Sequence, residues 1–159
     1  MIQARSQSPS LLRQALIAGV IGAIIVDTYL SIELHTSPVA LEVRNALTAF
    51  DVGSPILGVI VHFVIALVWA LIYAYVFNAI GQLRNWILGT IVLGVVVDAV
   101  MNLIIMLKIG APWGTAFVGG LITNVVFYAL PVALYLSLTA PRAHARRLAE
   151  GGSPVTSPP

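Results

Sequence analysis

Five side chains set in an otherwise apolar sequence have the chemistry to hold or pass a proton or a small cation: Asp27, His62, Asp98, Asn102 and Asn124. A carboxyl can carry a proton or ligate a cation. An imidazole can relay a proton near neutral pH or pair with a carboxylate. Asp98 and Asn102 stand four residues apart, which places them on one face of a helix. A carboxyl at the centre of a membrane span costs about 2.5–3.5 kcal/mol on insertion scales, and is by default a sign of function. At least one of Asp27 and Asp98 is therefore expected to hold a proton near neutral pH, unless His62 or a bound cation compensates. The structural alternative is polar glue, in which Asp–His–Asn hydrogen bonds worth about 0.6 kcal/mol each hold the helices together. Asn102 and Asn124 taken alone fit that role, and His35 reads as a polar residue at the membrane interface.

Other chemistries find no support in the sequence. The absence of cysteine excludes disulfides, thiolate metal sites and cysteine nucleophiles. No HExxH, GxSxG, Walker or dinucleotide-binding pattern occurs. A bis-histidine haem would need ligands at one depth, but His35 and His62 lie at different depths and His144 is in the tail. Asp98 follows Val95-Val96-Val97, so the GxGD pattern of intramembrane aspartyl proteases is missing. The expectation is a protein that is not an enzyme and uses no cofactor and no metal.

The elements that must position these residues follow from composition. Of 159 residues, 59% are hydrophobic and 9% charged, against roughly 25% charged in a soluble domain, and mean hydropathy is +0.99. Lipid is the solvent that tolerates so much apolar surface. Four runs are near the roughly 20 residues that a helix needs to cross a bilayer: 11–34, 55–78, 86–107 and 113–138. The fold class is all-α, a polytopic membrane protein with a four-helix transmembrane bundle spanning 11–139, after a short N-terminal segment 1–10. Ser54-Pro55 reads as an N-cap with proline at the first helical position, and Ala111-Pro112 plays a similar part. Trp86 and Trp113 suit the interfacial aromatic belt. The segment 37–51 reads as a short surface helix or a plain loop, and the Pro-, Ser- and Gly-rich tail 140–159 as disordered.

Orientation follows from the basic residues. Arg5, Arg13, Arg84, Arg142, Arg146 and Arg147 lie on one side, and Arg44 and Lys108 on the other. Both termini are expected in the cytoplasm, and the first span is expected to be retained rather than cleaved. A net charge of +2 gives no case for nucleic acid. The expected partners are the lipid bilayer and either further copies of the chain or other membrane subunits.

Each span carries a series of small and polar residues spaced four apart. These are Ala15, Gly19, Ala23 and Asp27; Gly58, His62, Ala66, Ala70 and Ala74; Thr90, Gly94, Asp98 and Asn102; and Ala116, Gly120, Asn124 and Tyr128. Lipid tails are as apolar as leucine, so helices in a membrane associate through close backbone approach and polar contacts. The four faces are expected to point inward, for which Gly19, Ala23, Gly58, Ala66, Ala70, Gly94 and Gly120 are the packing residues. Pro131 withholds the N–H that the Phe127 carbonyl would receive, which predicts a kink near Phe127. Trp69, Tyr73 and Phe77 form an aromatic stripe that reads as packing against lipid or a partner.

The two halves also match. Gly22-Ala23-Ile24-Ile25-Val26-Asp27 parallels Gly94-Val95-Val96-Val97-Asp98, Gly58 and His62 parallel Gly120 and Asn124, and Tyr73 parallels Tyr135. Two parallel helical hairpins related by an axis along the membrane normal would produce this pattern. The glycine-rich first span with its polar residue, the His62-Phe63 pair, and Trp69 and Tyr73 after it resemble small bacterial inner-membrane proteins of the YagU-like kind. That resemblance implies a bacterial inner-membrane location and a link to acid tolerance, and carries over no catalytic or binding residue. The leading functional expectation is a small subunit or self-associating membrane protein. The alternative is a proton or small-cation transporter or channel using the Asp/His/Asn cluster.

Overall fold

The structure, a computed structural model, describes residues 10–36, 55–110 and 117–140. Helix α1 is Leu11–Thr36, α2 is Pro55–Ala79 and α3 is Trp86–Ile109. The fourth span, α4, is continuous but composite, with α-helical Phe117–Ile122, π-helical Thr123–Ala129 and α-helical Leu130–Thr139. Each of the four contains a stretch long and apolar enough to cross a membrane. The expected all-α, four-helix membrane bundle is the architecture found. Residues 37–54, 111–116 and 141–159 lie outside the described residues, and with them the surface segment 37–51, Ser54, the Ala111-Pro112-Trp113 start, His144 and nearly all of the tail.

The joint between α2 and α3 shows how local chemistry ends one helix and begins the next. Gly81 takes a positive φ of 72°, a conformation that glycine adopts without a Cβ penalty. The Gln82 N–H then reaches back to the Phe77 carbonyl at 2.8 Å, closing the helix end. Asn85 caps α3 by accepting the Leu88 N–H at 3.2 Å. Gly110, also left-handed at φ 67°, closes the other end of α3.

Packing follows the small faces. Ala15, Ala23, Ala66, Ala70 and Ala74 are buried, while Ile24, Ile60, Val68, Ile91 and Val96 point outward, where lipid would meet them. A Cβ on Gly19 would press on Leu67 and Ala70 of α2, and one on Gly94 would come within 2.7 Å of the Val125 Cα of α4. Glycine at these positions lets backbones approach directly. Gly58 lies within α2, but its surroundings are outside the described residues.

The helices pack unequally. α1 lies along both α2 and α4, and α3 along α4, whereas α2 and α3 touch little beyond their short turn. The aromatic stripe of α2 corrects the expectation of an outward face. Tyr73 and Phe77 are buried, with ring centroids 4.4 Å apart, and Trp69 is half-buried beside the core. The reason is a notch: Gly89 of α3 leaves the space that the Tyr73 hydroxyl occupies.

Pro131 acts by widening the helix. The π-helical turns end just before it, and the Leu130 N–H bonds to the Val125 carbonyl five residues back. An α-helical turn would press the proline ring against the Phe127 carbonyl, which has no donor to receive there. A π-turn inside an α-helix adds one residue per turn and relieves that clash.

Gly94→Ala is expected to lower stability by about 1–3 kcal/mol, because the new methyl meets backbone and not a flexible side-chain end. Gly119→Ala, where a Cβ meets nothing within 4 Å, is expected to cost nothing. Thermal unfolding of both variants in one detergent checks the contrast.

Candidate functional site

Asp98 sits on the inner face of α3, twelve residues or about 18 Å from Trp86 at one end of the helix. It is 1% exposed. Three observations describe its surroundings. Asn102, one turn along α3, donates its Nδ2 to Asp98 Oδ2 at 3.2 Å and to the Asp98 carbonyl at 2.9 Å. Asn124, from the π-helical part of α4, donates its Nδ2 to Asp98 Oδ1 at 3.2 Å. Gly120, one turn before Asn124, has no Cβ and so leaves room for Oδ1 against the α4 backbone. Each carboxyl oxygen therefore accepts one amide N–H. Among the described residues no lysine, arginine or histidine pairs with this carboxyl.

Asp27 and His62 form a second pair. His62 Nε2 of α2 lies 3.5 Å from Asp27 Oδ1 of α1, and both side chains keep about a quarter of their surface exposed, at 22% and 24%. The five residues singled out in the sequence are thus gathered into two groups, with Asp98, Asn102 and Asn124 in one hairpin and Asp27 and His62 in the other. Among the described residues no three or more His, Cys, Asp or Glu side chains converge as a metal site would require.

The two groups occupy equivalent places. Asp27 matches Asp98 in the internal comparison of the halves, and His62 matches Asn124, so each hairpin joins its aspartate to the matching position of its second helix. The match does not extend to the packing. A two-fold axis would make the contact of α1 with α4 equivalent to that of α3 with α2, yet the first is extensive and the second slight. Tyr73 and Tyr135 also differ in use, since Tyr135 donates to Gln14 Oε1 at 2.9 Å while Tyr73 lies in the Gly89 notch.

Two contacts were not visible from residue spacing. Tyr128 donates its hydroxyl to the Ala66 carbonyl of α2, tying α4 to the far hairpin. Gln14, buried in the first turn of α1, receives Tyr135. Tyr128 stood on the expected inner face, but nothing in its spacing named a backbone carbonyl as its partner. Gln14 stands one place before the Ala15 series and carried no signal of its own. On the outer surface Tyr29 and Phe127 stack with ring centroids 3.9 Å apart. They border a shallow, open groove of about 320 Å³, lined also by Ile24, Ile25, Thr28 and Ile32, whose walls offer no chemistry beyond lipid contact.

Comparison with known protein families, with curated proteins and with solved structures gave no match.

Asn124→Leu removes the only cross-helix donor that reaches Asp98 among the described residues. It is expected to cost about 1–3 kcal/mol, the usual penalty for a buried polar group losing its partner. In an Asp98→Leu background the same change is expected to cost much less, since no carboxyl is left wanting. A double-mutant cycle on unfolding in detergent measures that coupling.

Proposed function

We propose that this multi-pass membrane protein moves protons, with the Asp98 carboxyl as the carrier group. One observation supports the reading above the others: a carboxyl at mid-span, 1% exposed, held by two amide N–H groups and facing no cationic side chain among the described residues. In such surroundings a carboxyl is compatible with the fold when a proton or a cation neutralises it. The amides occupy its oxygens singly, and among the described residues no second carboxyl joins it, which favours a proton over a divalent ion that seeks six or more oxygen ligands. Asp27 and His62, partly exposed and nearer the end of the bundle that bears Pro55, are the outer acceptor and relay. The arginine distribution supports placing the end that bears Leu11, Ala79, Trp86 and Thr139 in the cytoplasm. The same reading suits a bacterial inner membrane and the acid tolerance implied by the YagU-like resemblance.

A second reading, a small subunit or self-associating protein, rests on the seam between α2 and α3. These helices barely touch past their turn, so their outer faces are open to a neighbouring chain. Against it stands the use of the small residues. Ala15, Ala23, Ala66, Ala70 and Gly94 are consumed by contacts within the chain, and the outward surface is made of bulky aliphatic side chains.

Reconstitution in lipid vesicles with an internal pH dye, driven by a potassium diffusion potential, tests the proton reading. Wild-type protein is expected to carry protons, and Asp98→Asn is expected to fall to the level of empty vesicles with its unfolding temperature kept. Wild-type flux in Asp98→Asn, or no flux in the wild type, rejects the proposal. In the second case the mass of the protein extracted in mild detergent decides for or against association.

A further inference from the structure

Several hydroxyls of the described helices, exposed or buried, find a partner. Thr28, Thr123 and Thr139 each donate the hydroxyl to the carbonyl four residues back, at 2.7–2.8 Å. Ser137 does the same to the carbonyl of Leu134. Tyr128 and Tyr135 donate across helices. Two do not conform. Tyr73 Oη and Thr90 Oγ1 are fully buried and have no hydrogen-bond partner among the described residues, with Tyr73 2% and Thr90 7% exposed. A buried hydroxyl left unpaired costs about 1–3 kcal/mol, and threonine in a helix has an easy remedy in its own backbone that Thr90 does not take.

The two oxygens belong to one place. The Tyr73 hydroxyl occupies the notch at Gly89, the residue before Thr90, so it lies beside the turn near the start of α3 that carries Thr90. Thr90 also stands on the same face of α3 as Gly94, Asp98 and Asn102. Eight residues, or about 12 Å, separate it from Asp98. That interval is closed by Leu93 and Val97, both buried, and by Val125 against Gly94.

We infer that Tyr73 and Thr90 together bind a buried water, and that this water is the inner stop of the proton route, next after the Asp98 carrier at mid-span. A water needs two to four polar partners, and two hydroxyls that can each donate or accept supply them. A proton crossing the bundle is carried there as hydronium and leaves through the end that bears Trp86, about 6 Å away along α3. The apolar interval between the stops bars the proton while dry and passes it only when water transiently fills it, as constrictions that gate by dewetting do in channels. The water site stands on the geometry alone, and its part in transport rests on the proposed function of Asp98.

The experiment is a double-mutant cycle with Tyr73→Phe and Thr90→Val, read by thermal unfolding of the full chain in detergent and by proton flux in vesicles. A shared water predicts that each single variant unfolds at a lower temperature than the wild type. It also predicts that the double variant lies closer to the wild type than the sum of the two losses, because no polar group then remains to be satisfied. Single variants that unfold at or above the wild-type temperature, or losses that simply add, overturn the water site. For the transport part, each single variant is expected to lose flux several-fold while Asp98 is intact, and wild-type flux in both overturns it. If Asp98→Asn also keeps wild-type flux, the function assigned to Asp98 has failed, and the thermal cycle still decides the water site.

Discussion

Everything in this bundle depends on how helices come together in a solvent that does not drive them together. Between helices in lipid the hydrophobic effect supplies nothing, so association rests on backbones approaching closely enough for dispersion and on polar groups finding partners. Ala15, Gly19, Ala23, Ala66, Ala70 and Gly94 are the places where approach happens. The tightness at Gly19, where a methyl would press on Leu67 and Ala70, and at Gly94, where it would collide with the Val125 backbone, shows how little space is left. Bulky aliphatic residues stand on the outer surface because they gain nothing from being inside. Small residues line the helix contacts, a few large ones such as Tyr73, Phe77 and Leu136 fill the remaining core, and most bulky aliphatic side chains face outward.

Close approach brings a second constraint, since any polar atom carried inward must be satisfied from within the chain. For the two aspartates the structure meets it by pairing within each hairpin. Asp27 meets His62 and Asp98 meets Asn124, so each aspartate draws on the matching position of the neighbouring helix. The chemical difference between the two partners matters. Histidine can take up a proton and neutralise its aspartate, whereas asparagine can only donate a hydrogen bond. The pair with the ionisable partner is the partly exposed one, and the pair without it is sealed. A carboxyl in the sealed position has no neutralising group of its own among the described residues, which sets it apart from ordinary helix glue.

Much of this was legible in the sequence, and the parts that were not share a cause. Spans, inner faces and the burial of Asp98 follow from hydropathy and four-residue spacing, because both express the period of a helix. The helix ends at Thr36, Ala79, Ile109 and Thr139 run only one or two residues past the expected bounds. What spacing cannot express is which face meets which. The aromatic stripe through Tyr73 and Phe77 looked outward on one helix alone, and turns inward because of a glycine on another. The partition of five polar residues into two groups likewise depends on which helices adjoin, a property of pairs. Residues 111–116, expected to begin the fourth span, and the segment 37–51 fall outside the described residues.

The fourth helix shows why one local irregularity can govern the site. The small and polar series of α4 runs Gly120, Asn124, Tyr128 and then resumes one residue late as Ala129, Ala133 and Ser137, all three buried. A strict α-helix would carry that slip as a rotation of its inner face. The π-helical turns from Thr123 to Ala129 absorb the extra residue and let both stretches face the core. Pro131 makes this the favoured arrangement, because an α-helical Phe127 carbonyl would meet the proline ring and find no donor. Asn124 reaches Asp98 of one hairpin and Tyr128 reaches the Ala66 carbonyl of the other from within these same widened turns. The proline therefore acts on the buried carboxyl without touching it, by setting the helical phase that brings its partner into place.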